Sequence, residues 1–258
     1  MKHLNYSLIL LLCLLVAVPA SAKKKTRVIA HRGYWKTEGS AQNSIRSLER
    51  ANEIKVYGSE FDVHLTSDNV PVVFHDSKIQ GKNIQTTPYA ELKDLKLSNG
   101  EKLPTLEQYL DKAQELKNIK LIFELKSHAT PERDREAAKI VVDMINSKKL
   151  AKRTEFIAFS LVAAKELHRL SPKTPVYYLN GELSPKEIKA LGFAGMDYHF
   201  KVMQKNPGWF KEAKDLGLKV NVWTIDDPKV MNEMIEAGAD FLTTDLPEEA
   251  QKAVNSHR

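Results

Sequence analysis

Thiols are almost absent from this chain. Its 258 residues include one cysteine, Cys13, so neither a disulfide framework nor a cysteine cage for a soft metal is available. Long apolar runs are also missing. The longest, residues 8–18, spans 11 residues, and a helix needs about 20 to cross a bilayer. No G-x-G-x-x-G follows the first strand-like run at residues 27–30, which removes the usual mark of a dinucleotide cradle. Basic residues outnumber acidic ones, 39 to 33, for a net charge of +6. The excess forms no basic stripe interleaved with aromatics, so nucleic acid is not an expected partner. No internal repeat and no Pro/Gly/Ser-rich linker divides the chain.

What is present begins with an address. Lys2, the apolar run, Pro19 and the small residues Ala20-Ser21-Ala22 describe a cleavable secretory signal over residues 1–22. Cleavage there removes Cys13 and leaves residues 23–258, opening with Lys23-Lys24-Lys25 as a solvated start. Leu12 is large where a lipidation site wants a small residue before Cys13. The expectation is an exported protein, periplasmic or secreted, with no stable membrane anchor.

From residue 27 onward, short β-type runs alternate with helix-period stretches. Strands are expected at 27–30, 59–65, 70–74, 121–125, 155–159, 176–179, 195–198, 220–224 and 241–243. Helices are expected at 43–52, 105–116, 131–146, 163–170, 185–191, 207–216, 228–237 and 247–254. Several helices open with Pro, whose missing N–H costs nothing in a first turn. Gly217 and Gly238 sit where helix C-caps favour glycine. The turn Ser67-Asp68-Asn69 pairs 59–65 with 70–74 as one unit. Eight strand units alternating with helices predict an α/β fold, a (β/α)8 TIM barrel over 23–258. Residues 77–104 read as a small polar insertion after the second strand unit.

Side chains alternate faces along a strand. Phe61 and Val63 share one face, Glu60 and Asp62 the other; Leu121, Phe123 and Leu125 oppose Ile122, Glu124 and Lys126. The apolar face of a barrel strand meets the helices, which sends Glu60, Asp62, Glu124 and Lys126 inward. Buried charge is costly unless paired or metal-bound. Three carboxylates converging at the C-terminal mouth of a barrel call for a cation, and oxygen ligands favour a hard ion, Mg2+ or Ca2+. Salt bridges to Lys126 and Arg32 are the plainer reading of the same charges. His31 and His75 also end strands. If the turn centres on Asp68-Asn69, His75 falls roughly opposite Asp62, beside the acids. His64, His128, His168 and His199 lack that setting and read as surface or lining residues.

As a set these residues resemble the glycerophosphodiester phosphodiesterases. The motifs are His31-Arg32-Gly33, Asn43-Ser44, the run Glu60-Phe61-Asp62-Val63 through Asp68, Pro71-Val72-Val73-Phe74-His75-Asp76, Glu124-Leu125-Lys126, and Thr244-Asp245-Leu246-Pro247. Ala158-Phe159-Ser160 and Val222-Trp223-Thr224 match in place. One position departs: Gln42 stands where the family pattern has glutamate. The resemblance implies that Glu60, Asp62 and Glu124 hold one divalent cation, that Arg32 and Lys126 bind the phosphate, and that His31 and His75 act as general acid and base. It implies that Trp223 lines the mouth against the glycerol of a small glycerophosphodiester substrate. Two other readings remain at this point. One is a phospholipase-D-like enzyme forming cyclic phosphates from lysophospholipids, which would need an apolar groove. The other is a phosphodiester-binding protein without catalysis, which would rest on Gln42.

Overall fold

The computed structural model describes residues 26–257; the expected signal segment at 1–22 and the lysines after it lie outside the described residues. The chain opens with β1 (Arg27–Ala30), α1 (Ile45–Glu53), β2 (Gly58–Leu65) and β3 (Pro71–Val73), then a short hairpin of β4 (Lys78–Ile79) and β5 (Lys82–Asn83). After it come α2 (Leu106–Glu115), β6 (Lys120–Leu125), α3 (Pro131–Ser147), β7 (Thr154–Ala158), α4 (Leu161–Leu170), β8 (Val176–Tyr178) and α5 (Pro185–Ala190). The last stretch holds β9 (Gly195–His199), α6 (Phe200–Lys205), α7 (Gly208–Asp215), β10 (Lys219–Trp223), α8 (Pro228–Ala237), β11 (Phe241–Thr244) and α9 (Pro247–Ser256).

Eight of these strands run parallel in the order β1-β11-β10-β9-β8-β7-β6-β2, and a β1–β2 pairing closes the ring. The expected (β/α)8 barrel is the observed fold. Closure leaves β3 outside, antiparallel to β2. The two faces of each strand behave as alternation requires. Ile29, Ile122, Ile157, Tyr177, Leu179 and Phe241 meet in the barrel interior. Phe61, Phe123, Phe156, Leu121 and Val222 point outward into the shell beneath the helices. Full burial of side chains this large contributes about 1.5–3 kcal/mol each.

Local signals set the helix starts. Ser44 Oγ accepts from Ser47 N to cap α1, so the helix begins two residues after the expected position and releases Asn43 for another task. Thr105 and Ser184 form reciprocal capping boxes with Gln108 and Glu187, a pattern that fixes two end donors at once. The short helix α6 is a difference from expectation. Its six residues are too few for periodicity to register, and His199 Nδ1 accepts from Lys201 N at its start.

The insertion is more ordered than its polar composition suggests. Ile79, Ile84, Leu92, Leu97 and Leu103 cluster with Ala41 and Val72 in a separate small core. These apolar residues follow neither a helix nor a strand period, because short 3-10 turns at Ile84–Thr86 and Tyr89–Glu91 carry two of the bends.

Candidate active site

Strand register builds the acidic triad. β2 and β6 run parallel with Asp62 opposite Glu124, and paired strands lie about 4.8 Å apart. Glu60 sits two residues earlier on the same inward face. Oxygens of Glu60, Asp62 and Glu124 all come within 4.8 Å of one another, and all three residues are buried.

The electrostatics of this cluster are unbalanced. Burial, then the charges of Asp62 and Glu124, raises the Glu60 carboxyl well above its ordinary range. Burial and then Asp62 push Glu124 up to about 8, against the pull of Lys126. Burial would raise Asp62 too, but Lys126, His75, Asn43 and Arg32 outweigh it and hold that carboxyl well below the usual range. Lys126 Nζ stands 2.7 Å from Glu124 Oε1 and 3.2 Å from Asp62 Oδ1. Burial disfavours its charge, and the two carboxylates more than restore it. One ammonium does not satisfy three acids. Glu60 Oε1 is buried with no hydrogen-bond partner among the described residues. An all-oxygen set with an orphaned carboxylate oxygen fits a hard divalent ion; the plain salt-bridge reading leaves that oxygen unexplained.

Arg32 is held in an unusual backbone state. Its φ is 54°, a region where a bulky side chain costs energy and which clusters at functional sites. Three bonds hold it there. Arg32 N donates to Glu60 Oε2 at 2.7 Å, and Arg32 O accepts from Asn43 N and Ser47 Oγ, each at 3.0 Å. Gly33 follows at φ 75°, and a Cβ there would stand 2.3 Å from Ser47 Oγ. The guanidinium Nη1 donates to Gln42 Oε1 at 2.6 Å. Gln42 therefore orients Arg32 without neutralising it. Arg32 Nε is buried and unbonded among the described residues, with Asp62 Oδ2 3.7 Å away.

Both candidate histidines have Nδ1 against a carboxylate. His31 Nδ1 lies 2.8 Å from Asp245 Oδ1, and His75 Nδ1 lies 2.7 Å from Asp76 Oδ1. An Nδ1–H given to a carboxylate leaves Nε2 as the free nitrogen. Asp245 is the drier partner: it also accepts from Trp35 Nε1 at 3.0 Å and faces Lys36 Nζ at 3.4 Å. Burial works to raise Asp245, but His31, Trp35 and Lys36 hold it well below the ordinary range. Burial lowers the His75 imidazole more than Asp62 restores it. The β2–β3 register puts Phe74, not His75, opposite Asp62: Val63 pairs with Val73, and Phe74 N donates to Asp62 O at 3.0 Å. His75 comes one residue later, and its imidazole still acts on Asp62 through space.

Trp223 ends β10 with its Nε1 donating to Asp197 O at 2.8 Å. Phe159 and His199 meet its ring edge to face at 5.6 and 5.1 Å. Beside His75, Glu124 and Lys126 opens a cavity of about 450 Å³, walled by residues of the insertion and of the β6–α3 loop.

Three residues escaped the sequence reading. Asn43, seen there as a helix cap, grips Asp62 from both sides: Nδ2 donates to Asp62 Oδ2 at 2.8 Å, and Oδ1 accepts from Asp62 N at 3.0 Å. Asp245 was visible within a motif, but its partner His31 is 214 positions away. His64 is buried beneath His75, with Nε2 3.1 Å from His75 O and Nδ1 3.0 Å from Gln85 Nε2. Burial drops its pKa to about 4, so it stays neutral and supports the backbone of the bend after β3 that carries His75. Its inward parity with Asp62 was the available signal.

Comparison with known proteins bears on this geometry. Residues 31–249 match the model of the glycerophosphoryl diester phosphodiesterase family. A crystal structure of a glycerophosphodiester phosphodiesterase from Parabacteroides distasonis is similar with a TM-score of 0.90 and 68% identity, over 92% of this chain and 99% of that one. An Oleispira antarctica phosphodiesterase, solved in complex with the product sn-glycerol-3-phosphate, is similar with a TM-score of 0.76 and 26% identity, over 90% and 97% of the two chains. A glycerophosphodiester phosphodiesterase of Caldanaerobacter subterraneus is 26% identical over 87% of this chain and 96% of its own length.

Proposed function

Because the chain belongs to the glycerophosphoryl diester phosphodiesterase family, we propose that it hydrolyses small glycerophosphodiesters to glycerol 3-phosphate and a free alcohol with the aid of one divalent cation, Mg2+ or Ca2+. The observation that carries this reading is the site itself: an orphaned carboxylate oxygen in a buried oxygen triad, flanked by two histidines each oriented through Nδ1.

Glu60, Asp62 and Glu124 would hold the ion, which supplies positive charge against a non-bridging phosphate oxygen. The remaining work belongs to the chain. Arg32, aimed by Gln42 and with Nε–H uncommitted, donates to the phosphate. Lys126, kept charged by Asp62 and Glu124, adds a second fixed cation that needs no reorganisation as charge builds up. One histidine removes a proton from the attacking oxygen at Nε2. The other gives its Nε2 proton to the oxygen that leaves as the P–O bond breaks. The attacking oxygen is the substrate's own glycerol hydroxyl, with water then opening the cyclic phosphate and the histidines exchanging roles. Direct attack by water is the competing route, and trapping of a cyclic phosphate separates the two. Trp223 lines the mouth against the glycerol. The Oleispira antarctica complex with sn-glycerol-3-phosphate supports this choice of substrate.

The test is release of glycerol 3-phosphate from glycerophosphoethanolamine by purified residues 23–258, with EDTA, Mg2+ or Ca2+ in parallel. Turnover that EDTA abolishes and one divalent ion restores is expected. Turnover untouched by EDTA would remove the metal from the reading. His31→Ala and His75→Ala should each lose roughly 10²–10⁴ in kcat; full activity in either would remove the acid–base pair.

A further inference from the structure

The cavity beside His75 has a chemistry of its own. Its inner rim, formed by Glu124, Lys126 and His75, belongs to the site just described, and its outer wall comes from the insertion and the loop after β6. At about 450 Å³ it falls among small-molecule sites, about 300–1,000 Å³. The outer wall offers hydroxyls and amides: Ser77, Asn83, Gln85 and Ser127. Several of their polar atoms are uncommitted. Gln85 spends its amide N–H groups on His64 Nδ1 at 3.0 Å and Ser127 O at 2.9 Å, which leaves its carbonyl oxygen unpartnered among the described residues. Asn83 accepts from Gln85 N at 3.0 Å through Oδ1, which leaves its NH2 group free there. The imidazole of His128 donates nothing into the space. Its Nε2 accepts from Leu65 N at 3.2 Å, and its Nδ1 faces Asp134 at 3.3 Å.

The wall has no feature suited to a cationic headgroup. A quaternary ammonium is held by stacked aromatic faces or by carboxylates, and this wall has one phenyl ring, Phe159, and no carboxylate other than Glu124. Glu124 already faces Lys126 at 2.7 Å, and Asp76, bonded through Oδ1 to His75 Nδ1, lies outside this wall with its side chain turned largely to solvent. Lys126 itself would repel an ammonium. Of the lining residues only Ala129 and Phe159 have wholly apolar side chains, too few to form a trough for an acyl chain.

Resting on the phosphodiesterase reading above, we infer that this cavity receives the departing alcohol of the diester and selects a neutral polyhydroxylated one, such as glycerol or a cyclitol, over choline or ethanolamine. Hydroxyl groups would pair with the free Asn83 NH2, the Gln85 carbonyl and the Ser77 hydroxyl, while His75 at the rim lies next to the ester oxygen that leaves.

The test compares kcat/KM for glycerophosphoglycerol and glycerophosphoinositol with glycerophosphocholine and glycerophosphoethanolamine, using residues 23–258 and the metal that best supports turnover. The polyol esters should lead by tenfold or more. Asn83→Asp keeps the Oδ1 that accepts from Gln85 N and puts a negative charge where the NH2 group was. It should shift the polyol-to-choline ratio at least tenfold towards choline. Gln85→Leu should lower the same ratio by lost hydrogen bonding. Preference for the amine esters in the unaltered enzyme overturns the inference and leaves the phosphodiesterase reading intact. An unchanged ratio in Asn83→Asp overturns it as well. Failure to cleave any of the four diesters removes the reading beneath it and the inference together.

Discussion

Asp62 and Glu60 are both acids on one strand face, yet their protons respond in opposite directions. Asp62 is gripped by Asn43, Lys126 and Arg32 and is held ionised, while Glu60 keeps an unpaired oxygen and is pushed towards protonation. Identity and spacing put both residues in the site from the sequence alone. The difference between them comes from Asn43, whose role depends on a contact 19 positions away. Asp245 follows the same logic. It fixes the His31 ring and touches no candidate reacting atom, so it acts as a positioning residue. Asp245→Asn should lower kcat roughly 10–100-fold, the usual cost of losing a supporting partner, while KM and the melting temperature change little. Steady-state kinetics beside a thermal melt would decide; an unchanged kcat would free His31 from its carboxylate. Asp76, largely exposed, should matter less when changed to Asn. Away from the site, Asp197 is buried in the barrel, with Oδ1 unpartnered among the described residues. Burial, assisted by Glu155 and opposed by a bond from Asn221, pushes it up to about 7. A carboxyl raised on folding holds more protons in the native state than in the unfolded one. Its contribution to stability is full below about pH 4 and is lost as pH rises to 7. Asp197→Asn should therefore flatten the fall in stability between pH 4 and 7 by up to a few kcal/mol. Urea midpoints of the two proteins across that range give the difference directly; parallel curves would show that Asp197 titrates normally.

At the scale of elements, strand parity was the part of the sequence that carried furthest. Glu60, Asp62, Glu124 and Lys126 point inward because their neighbours Phe61, Val63, Phe123 and Leu125 are apolar and need the helix shell. The periods that gave strands and helices elsewhere failed over 77–104. Ile79, Ile84, Leu92, Leu97 and Leu103 converge from turns rather than from one face of a regular element, and no spacing rule anticipates that. The insertion therefore has a core apart from the barrel's. Leu92→Ala should cost about 2–5 kcal/mol locally, the range for a fully buried leucine. Since the small core is separate, hydrogen-exchange protection should fall across residues 77–104 and hold in β6 through β11. Loss of protection spreading around the barrel would show that insertion and barrel unfold as one unit.

On the scale of the whole molecule, the barrel brings together charges from both ends of the chain. The β1–β11 and β1–β2 pairings close the ring, carrying His31 to Asp245 and Arg32 to Glu60. The triad depends on the same ring, since its members sit on the adjacent strands β2 and β6 and repel one another across that pairing. A divalent ion bound only by the folded ring should therefore stabilise the entire domain. At a free concentration of 100 times Kd the gain is about 2.7 kcal/mol. For a domain of this size each kcal/mol shifts the melting temperature by about 2–4 °C, so the expected rise over an EDTA control is about 5–11 °C. This readout is independent of substrate and turnover. Glu124→Gln should abolish the rise while melting at or above the EDTA-treated unaltered protein, because burial and Asp62 already push that carboxyl towards its neutral form. Asp62→Asn should abolish the rise but melt below that control, because it removes the anion that Lys126, Arg32 and Asn43 hold. A metal-induced rise that survives both substitutions would move the binding site away from the triad.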